Sequence, residues 1–431
     1  VRERLALALW GWAMRLATPL LLARWWWRGR QEPGYRDAMP ERLGRYRVPA
    51  SAGWLWLHAV SLGETRAAAP LVAALRAQAP HLHLLLTHTT ATGREAGREL
   101  LQEGDAQVWL PLDTPGAVRR FLRHWQPRLG VLMETEVWPS LQAAAAEAQL
   151  PIVLANARLS ERSLRRGQRL APLLRPAAQR IHVALAQTEG DAERLRRMGV
   201  AQAQAVGNLK FDLSPAPEVL AQGRAWKAAC QRPVLMLAVS REGEEAALLT
   251  ALDALSLPAG PWPWHVLVVP RHPQRFDEVA RLLAATGRPW SRRSSWRDGP
   301  DRSAELWLGD SLREMPLYYG LADLALLGGS FEPLGGQNLI EAAACGCPLL
   351  MGPHTFNFAQ AAELAEAAGA ATRVSDLGAA VREAQALLQN NKARDAMAAA
   401  GLGFANDHRG AAQRMAAVLV ALFTRRCETR A

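Results

Sequence analysis

The chain has 431 residues and a formal net charge of +11, a length that accommodates two domains. Its apolar content is that of an ordinary globular protein, so full cores can form. Four cysteines exclude a disulfide framework: only Cys345 and Cys347 are close, and a lone C-x-C is not a zinc pattern. They flank Gly346 in an apolar run and read as core residues of a protein from a reducing compartment. The charge is uneven. Residues 1–50 carry ten Arg against Glu3, Glu32, Asp37 and Glu41, a net +6. That excess points to a local anionic partner, with nucleic acid and an anionic membrane as candidates.

Leu5 to Ala23 is apolar except for Arg15, Thr18 and Pro19. As a helix it falls just short of a hydrocarbon core of roughly 30 Å, and Arg15 near its middle costs about 2.5–3.5 kcal/mol on the insertion scale. It reads as a short anchor or an interfacial helix; a buried core helix is the alternative. Trp25, Trp26 and Trp27 with Arg28 and Arg30 suit a membrane–water boundary, and the basic flank on the C-terminal side leaves the rest of the chain cytoplasmic. No small-residue cleavage site follows, so a signal peptide fits poorly.

After a Pro/Gly bridge, apolar strand-like runs alternate with helical stretches. The runs are Trp54–Val60, Leu82–Thr87, Val108–Leu112, Leu129–Met133, Ile152–Leu154 and Val183–Ala186. A Pro-containing segment, Asp212 to Glu218, reads as a linker. The alternation resumes with Val234–Val239, His265–Val269, Glu305–Leu308, Leu324–Leu327 and Leu349–Met351. This is the pattern of an α/β protein with two parallel-sheet halves and a ligand cleft at their strand ends. We expect an anchor over 1–30, a first domain over 31–212, a linker over 213–219, a second domain over 220–409 and a C-terminal helix and tail over 410–431.

In the first half, polar clusters sit where strands end: Ser61-Leu62-Gly63-Glu64, the Thr87–Gly93 loop with Thr90, Glu134-Thr135-Glu136, and Asn156-Ala157-Arg158. Glu64 opens a helix, where a carboxylate can cap the first turn or act as a base. Hydroxyls, paired carboxylates and an Asn/Arg turn facing one cleft suit a polyhydroxylated anionic substrate, although each alone is usually a turn residue. Gly207-Asn208-Leu209-Lys210 brings a cation to the end of this half. In the second half, Pro270-Arg271 follows a strand and Arg271 can pair with a phosphate. Gly328-Gly329-Ser330 and Gly335-Gly336-Gln337-Asn338 precede a helix start at Leu339-Ile340-Glu341. Such a loop lets backbone N–H groups approach phosphate, yet it is neither a Walker loop nor a dinucleotide fingerprint.

The ordered motifs HAVSLGE, TTATG, METEVWP, NARLSERS, GNLKFD, VPRHPQRF, GGS, GGQNLIE and MGPHTFNF resemble the Kdo transferases of lipopolysaccharide assembly. These move 3-deoxy-D-manno-octulosonic acid (Kdo) from its CMP ester to lipid IVA. The resemblance runs from Arg24 to about Phe358. It implies a GT-B fold, two Rossmann-like domains with the active site in the cleft between them, plus an N-terminal membrane-anchoring helix at the inner membrane's cytoplasmic face. It also implies Glu64 as general base, Glu134 and Lys210 as transition-state stabilisers, and CMP contacts at Pro270, Arg271, Leu312, Arg313, Glu314, Asn338, Leu339, Ile340 and Glu341. Ser61, Gly63, Thr90, Asn156, Gly329, Ser330 and Gly336 are weaker candidates for Kdo or acceptor. The implied partners are CMP-Kdo, lipid IVA and an anionic membrane surface, with no metal and no other cofactor. Three positions depart from the family. Arg313 stands at a usual Gly, Val239-Ser240 at a Ser-Thr pair, and Gln337 at a usual His.

Two rivals remain. Another GT-B enzyme using a UDP-sugar would share the glycine loop but not METEVWP or GNLKFD. A membrane-tethered nucleic-acid-binding protein would use the charge, but the basic residues lie by an apolar segment and lack an aromatic-interleaved platform. No nucleic-acid partner is expected.

Overall fold

The structure, a computed structural model, describes residues 2–255 and 260–428. The chain forms two compact units: residues up to Leu213 together with those from Arg409 onward, and Ser214–His408.

The first unit is built on seven parallel strands: β1 (Leu55–His58), β2 (Leu84–His88), β3 (Ala106–Trp109), β4 (Leu129–Met133), β5 (Ile152–Ala157), β6 (Val183–Ala186) and β7 (Ala203–Ala205), in the order 3-2-1-4-5-6-7. β1, β2, β4, β5 and β6 bury every residue, which is why they read as unbroken apolar runs. Their side chains alternate between two cores. Leu55 and Leu57 pack with Leu71, Leu75, Met415 and Leu419 on one face. Trp56 packs with Val118, Phe121 and Leu141 on the other. The order reverses at β1 and β4, which pair directly, His58 opposite Leu132. Ligands of such sheets bind beyond the strand ends at that reversal, so the segments following β1 and β4 are the ones to inspect.

The second unit carries β8 (Val234–Ser240), β9 (His265–Pro270), β10 (Trp290–Arg292), β11 (Leu306–Leu308), β12 (Leu324–Leu327), β13 (Leu349–Met351) and β14 (Ala371–Arg373), in the order 10-11-9-8-12-13-14. Its reversal falls between β8 and β12.

Three strands were not expected from sequence: β7, β10 and β14, each a three-residue edge strand too short and too polar to show a pattern. The expected linker also shrinks. A helix starts at Pro217, and Asp212 accepts from the Gly410 and Ala412 amides at 2.5 and 2.7 Å, so it caps the last helix. That helix, Ala411–Glu428, packs on helix α2 (Leu62–Gln78).

The N-terminal helix α1 spans Arg2–Arg28 and includes Trp25, Trp26 and Trp27. At 27 residues it is about 40 Å long. Gly11 alone is buried, while Leu5, Leu9, Trp12, Leu16, Leu20, Trp26 and Trp27 are exposed. A core helix is therefore excluded. Trp25 departs from the expected interfacial role. Its ring lies 3.9 Å from the Arg42 guanidinium carbon, and Trp109 lies 3.8 Å away on the other side. Arg42 is 0% exposed, its charge held by aromatic faces.

Candidate active site

Glu64 stands where β1 gives way to α2. Ser61 is the N-cap, and its Oγ accepts the Glu64 amide. The Glu64 carboxylate reaches back, accepting from the Val60 amide at 2.8 Å and the Ser61 hydroxyl at 3.1 Å. The pairing is reciprocal in the manner of a capping box, with the Val60 amide, one residue before the N-cap, in place of the N-cap amide, so the capping role considered from sequence is real. It leaves lone pairs on a half-buried carboxylate. Burial and the nearby Glu134 push its pKa up, against the pull of its two donors and Arg158. A carboxylate so raised is a better proton acceptor than a free one. Thr90 supports the same turn: its hydroxyl donates to the Val60 carbonyl at 3.0 Å and caps Gly93. Gly63 is exposed at the helix start.

Glu134 follows β4, beside the β1 end, and its φ of 56° is left-handed. Such strain in a non-Gly residue gathers at functional sites. Its Oε2 accepts from Arg158 Nε at 2.9 Å. Lys210 belongs to the same group: burial lowers its pKa, Glu134 opposes that, and Arg158 adds to it. The expected trio of Glu64, Glu134 and Lys210 is thus electrostatically joined within one domain, with Arg158 as a fourth member.

Asn156 requires a correction. It was expected at the substrate, but it is 0% exposed. Its Oδ1 accepts the Leu209 amide at 3.0 Å, and its φ is 53°. Gln187 bridges the Asn156 carbonyl to Asn208, whose Oδ1 accepts the Lys210 amide. Asn156 therefore sets the backbone that carries Lys210.

Glu136 was seen in the sequence as half of a carboxylate pair but given no role. Burial and the negative charges of Glu64 and Glu134 push its carboxyl up to about 7, against the Trp138 hydrogen bond. Its Oε2 accepts from Trp138 Nε1 at 2.6 Å.

In the second domain, two buried carboxylates that sequence reading missed brace the loops. Glu244 accepts the Gly329 amide at 2.8 Å and the Arg241 amide at 2.9 Å. Glu245, 1% exposed, accepts the Ser240 hydroxyl at 2.6 Å and both terminal nitrogens of Arg275 at 2.7 and 3.0 Å. The adjacent acids of REGEE were the available signal. Gly329 and Gly336 have φ of 68° and 73°, which only Gly adopts freely, and the Gly336 amide bonds the Gly329 carbonyl. Ser330 also needs correcting: it is 0% exposed and accepts the Gly352 amide, so it ties β12 to β13 and is closed to ligand.

Among the expected CMP contacts, Pro270 ends β9 and the next residue, Arg271, is exposed. Burial, with the charges of Arg241 and Arg271, holds the His272 pKa down. Leu339 and Ile340 are buried, so only their backbone can serve a ligand, beside the half-buried Asn338 and Glu341. Glu314 pairs with Arg293 at 2.8 Å and accepts from Ser311. Leu312 and Arg313 are exposed. Arg313 has φ 66°. That left-handed value is one Gly adopts freely, which fits the Gly expected at this position.

The same architecture occurs in a glycosyltransferase from Rickettsia africae (TM-score 0.57, 11% identity, 86% of this chain and 99% of that one). It occurs also in a UDP-GlcNAc 2-epimerase from Neisseria meningitidis (TM-score 0.56, 12% identity, 86% and 99%). Two such parallel-sheet domains define the GT-B class of glycosyltransferase fold. Residues 37–213 match the 3-deoxy-D-manno-octulosonic-acid transferase (kdotransferase) family. The chain is 47% identical over 413 residues to the 3-deoxy-D-manno-octulosonic acid transferase of Bordetella pertussis, covering 93% of this chain and 96% of that one. It is 35% identical over 396 residues to that of Haemophilus influenzae, covering 89% and 91%. The chain belongs to the Kdo transferase family and is a glycosyltransferase.

Proposed function

We propose that the enzyme moves Kdo from CMP-Kdo to lipid IVA with inversion at the anomeric carbon, using Glu64 as general base. A Glu64 carboxylate oxygen takes the proton of an acceptor hydroxyl as the hydroxyl oxygen bonds to Kdo C2, and the C2–O bond to CMP breaks. The observation that carries this reading is the joining of Glu64, Glu134, Arg158 and Lys210 at the β1/β4 reversal. A base in hydrogen-bond reach is worth roughly 10²–10⁴-fold, and the two cations can hold the Kdo carboxylate and the charge that develops in transfer. CMP is assigned to Arg271, the Leu312–Glu314 turn and the backbone of Asn338–Glu341. The exposed apolar face of α1 and its basic flank support attachment to the cytoplasmic face of the inner membrane, where an acidic lipid acceptor resides.

Incubation with CMP-Kdo and lipid IVA, followed by mass analysis of the lipid, tests the proposal. Addition of one or more Kdo masses is expected. Unchanged lipid, or transfer inhibited by UDP and not by CMP, rules it out.

A further inference from the structure

The helix Pro139–Glu147 begins one residue after Trp138, its N-cap, and an indole supplies no capping oxygen. Its first amides nevertheless have an acceptor. Asp113, 2% exposed, accepts the Ser140 amide at 3.1 Å and the Leu141 amide at 2.8 Å. The cap comes from another segment, the turn after β3. The same carboxylate accepts a third hydrogen bond, from Trp10 Nε1 of α1 at 2.6 Å. Beside Trp10, Gly11 brings α1 so close to Pro115 that a Cβ would lie 3.1 Å from its ring. The helix is therefore seated on this turn by two adjacent residues.

From the capped turn the bonding continues to the carboxylate loop. The Gln142 amide bonds the Trp138 carbonyl. Gln142 Nε2 donates to the Glu136 carbonyl at 3.3 Å, and Trp138 Nε1 donates to the Glu136 carboxylate. Glu134 lies two residues earlier in the same loop.

We propose that Asp113 is a positioning residue of the transfer site, and that its bond from Trp10 makes the N-terminal helix a support of the Glu134–Glu136 loop rather than only an attachment. A charged acceptor with three donors is costly to leave partly unpaired, so losing the indole N–H shifts the carboxylate and the helix start it caps. The kinetic part of this inference rests on the Kdo-transfer reading; the structural part does not.

The test is Trp10→Phe in the full-length protein in vesicles of anionic phospholipid. It keeps an aromatic ring, though a smaller one, and removes the donor. Three readouts are taken: kcat and KM with CMP-Kdo and lipid IVA, partition onto the vesicles, and hydrogen exchange of the Ser140 and Leu141 amides. We expect kcat to fall roughly tenfold, as a small misplacement of reacting groups does, with KM and partition unchanged and faster exchange at both amides. Asp113→Asn should reproduce the exchange change. Unchanged kcat, unchanged exchange, or a kcat loss matched by lost partition overturns the proposal. If wild-type protein transfers no Kdo, the function reading fails and exchange alone decides this one.

Discussion

Arg158 donates its Nε to Glu134 Oε2 at 2.9 Å while remaining half exposed. An arginine fixed at its inner nitrogen keeps its outer nitrogens available to an anion. Arg158→Ala should therefore lower kcat by roughly 10²–10³-fold, the scale of one preorganised electrostatic donor. Arg158→Lys should recover little, because a point charge lacks the fork. Steady-state transfer assays on both variants check this.

Glu64 serves a cap and, as proposed, a base, and one pair of substitutions separates the roles. Gln at the same position keeps a capping box. Glu64→Gln should keep near-native stability and lose roughly 10²–10⁴-fold in transfer. Glu64→Ala should lose both, with about 1 kcal/mol of stability gone with the cap. CMP binding should survive in each. Denaturant melts, CMP titration and transfer rates form the test; near-normal turnover in the Gln variant would remove Glu64 from the base role.

The Glu136 carboxyl binds its proton at about 7 in the folded protein against an ordinary 4.5. Between those values the native state holds more protons than the unfolded one, so stability falls as pH rises across that window. Glu136→Gln removes this dependence. It should be neutral near pH 4 and stabilising by about 3 kcal/mol near pH 8. Unfolding free energies measured across pH decide the point; an equal effect at both ends contradicts the assigned titration.

Arg313 occupies a left-handed backbone position at φ 66°. Replacing it with Gly relieves a cost on the order of 1 kcal/mol. Arg313→Gly should raise the unfolding midpoint slightly, and equilibrium melts would show it. A lowered midpoint would mean that contacts of the Arg side chain outweigh the strain.

The strands at the reversals were legible because buried parallel strands leave unbroken apolar runs such as Leu129–Met133; their order in the sheet was not. The motifs after those strands located Glu64 and Glu134 correctly at β1 and β4. What the sequence hid is partnership over long separation. Asn156 looked like a strand-end ligand, yet it holds an amide 53 residues away. Glu245 gave no sign of its pairing with Arg275. The edge strands β7, β10 and β14 escaped because three residues cannot establish a period. Position along a strand is a local property, whereas who answers a buried hydrogen bond is settled only by the fold.

The Trp25–Arg42–Trp109 stack has a practical corollary. Among the described residues Arg42 has no hydrogen-bond partner at any guanidinium nitrogen, and two indole faces, one of them on α1, cover its charge. A shortened version beginning after Gly29, made to ease purification, would strip one face and open a buried cation to solvent beside β3. Detergent-free preparation is better sought by replacing outward residues such as Leu16 and Leu20, which leaves that stack whole.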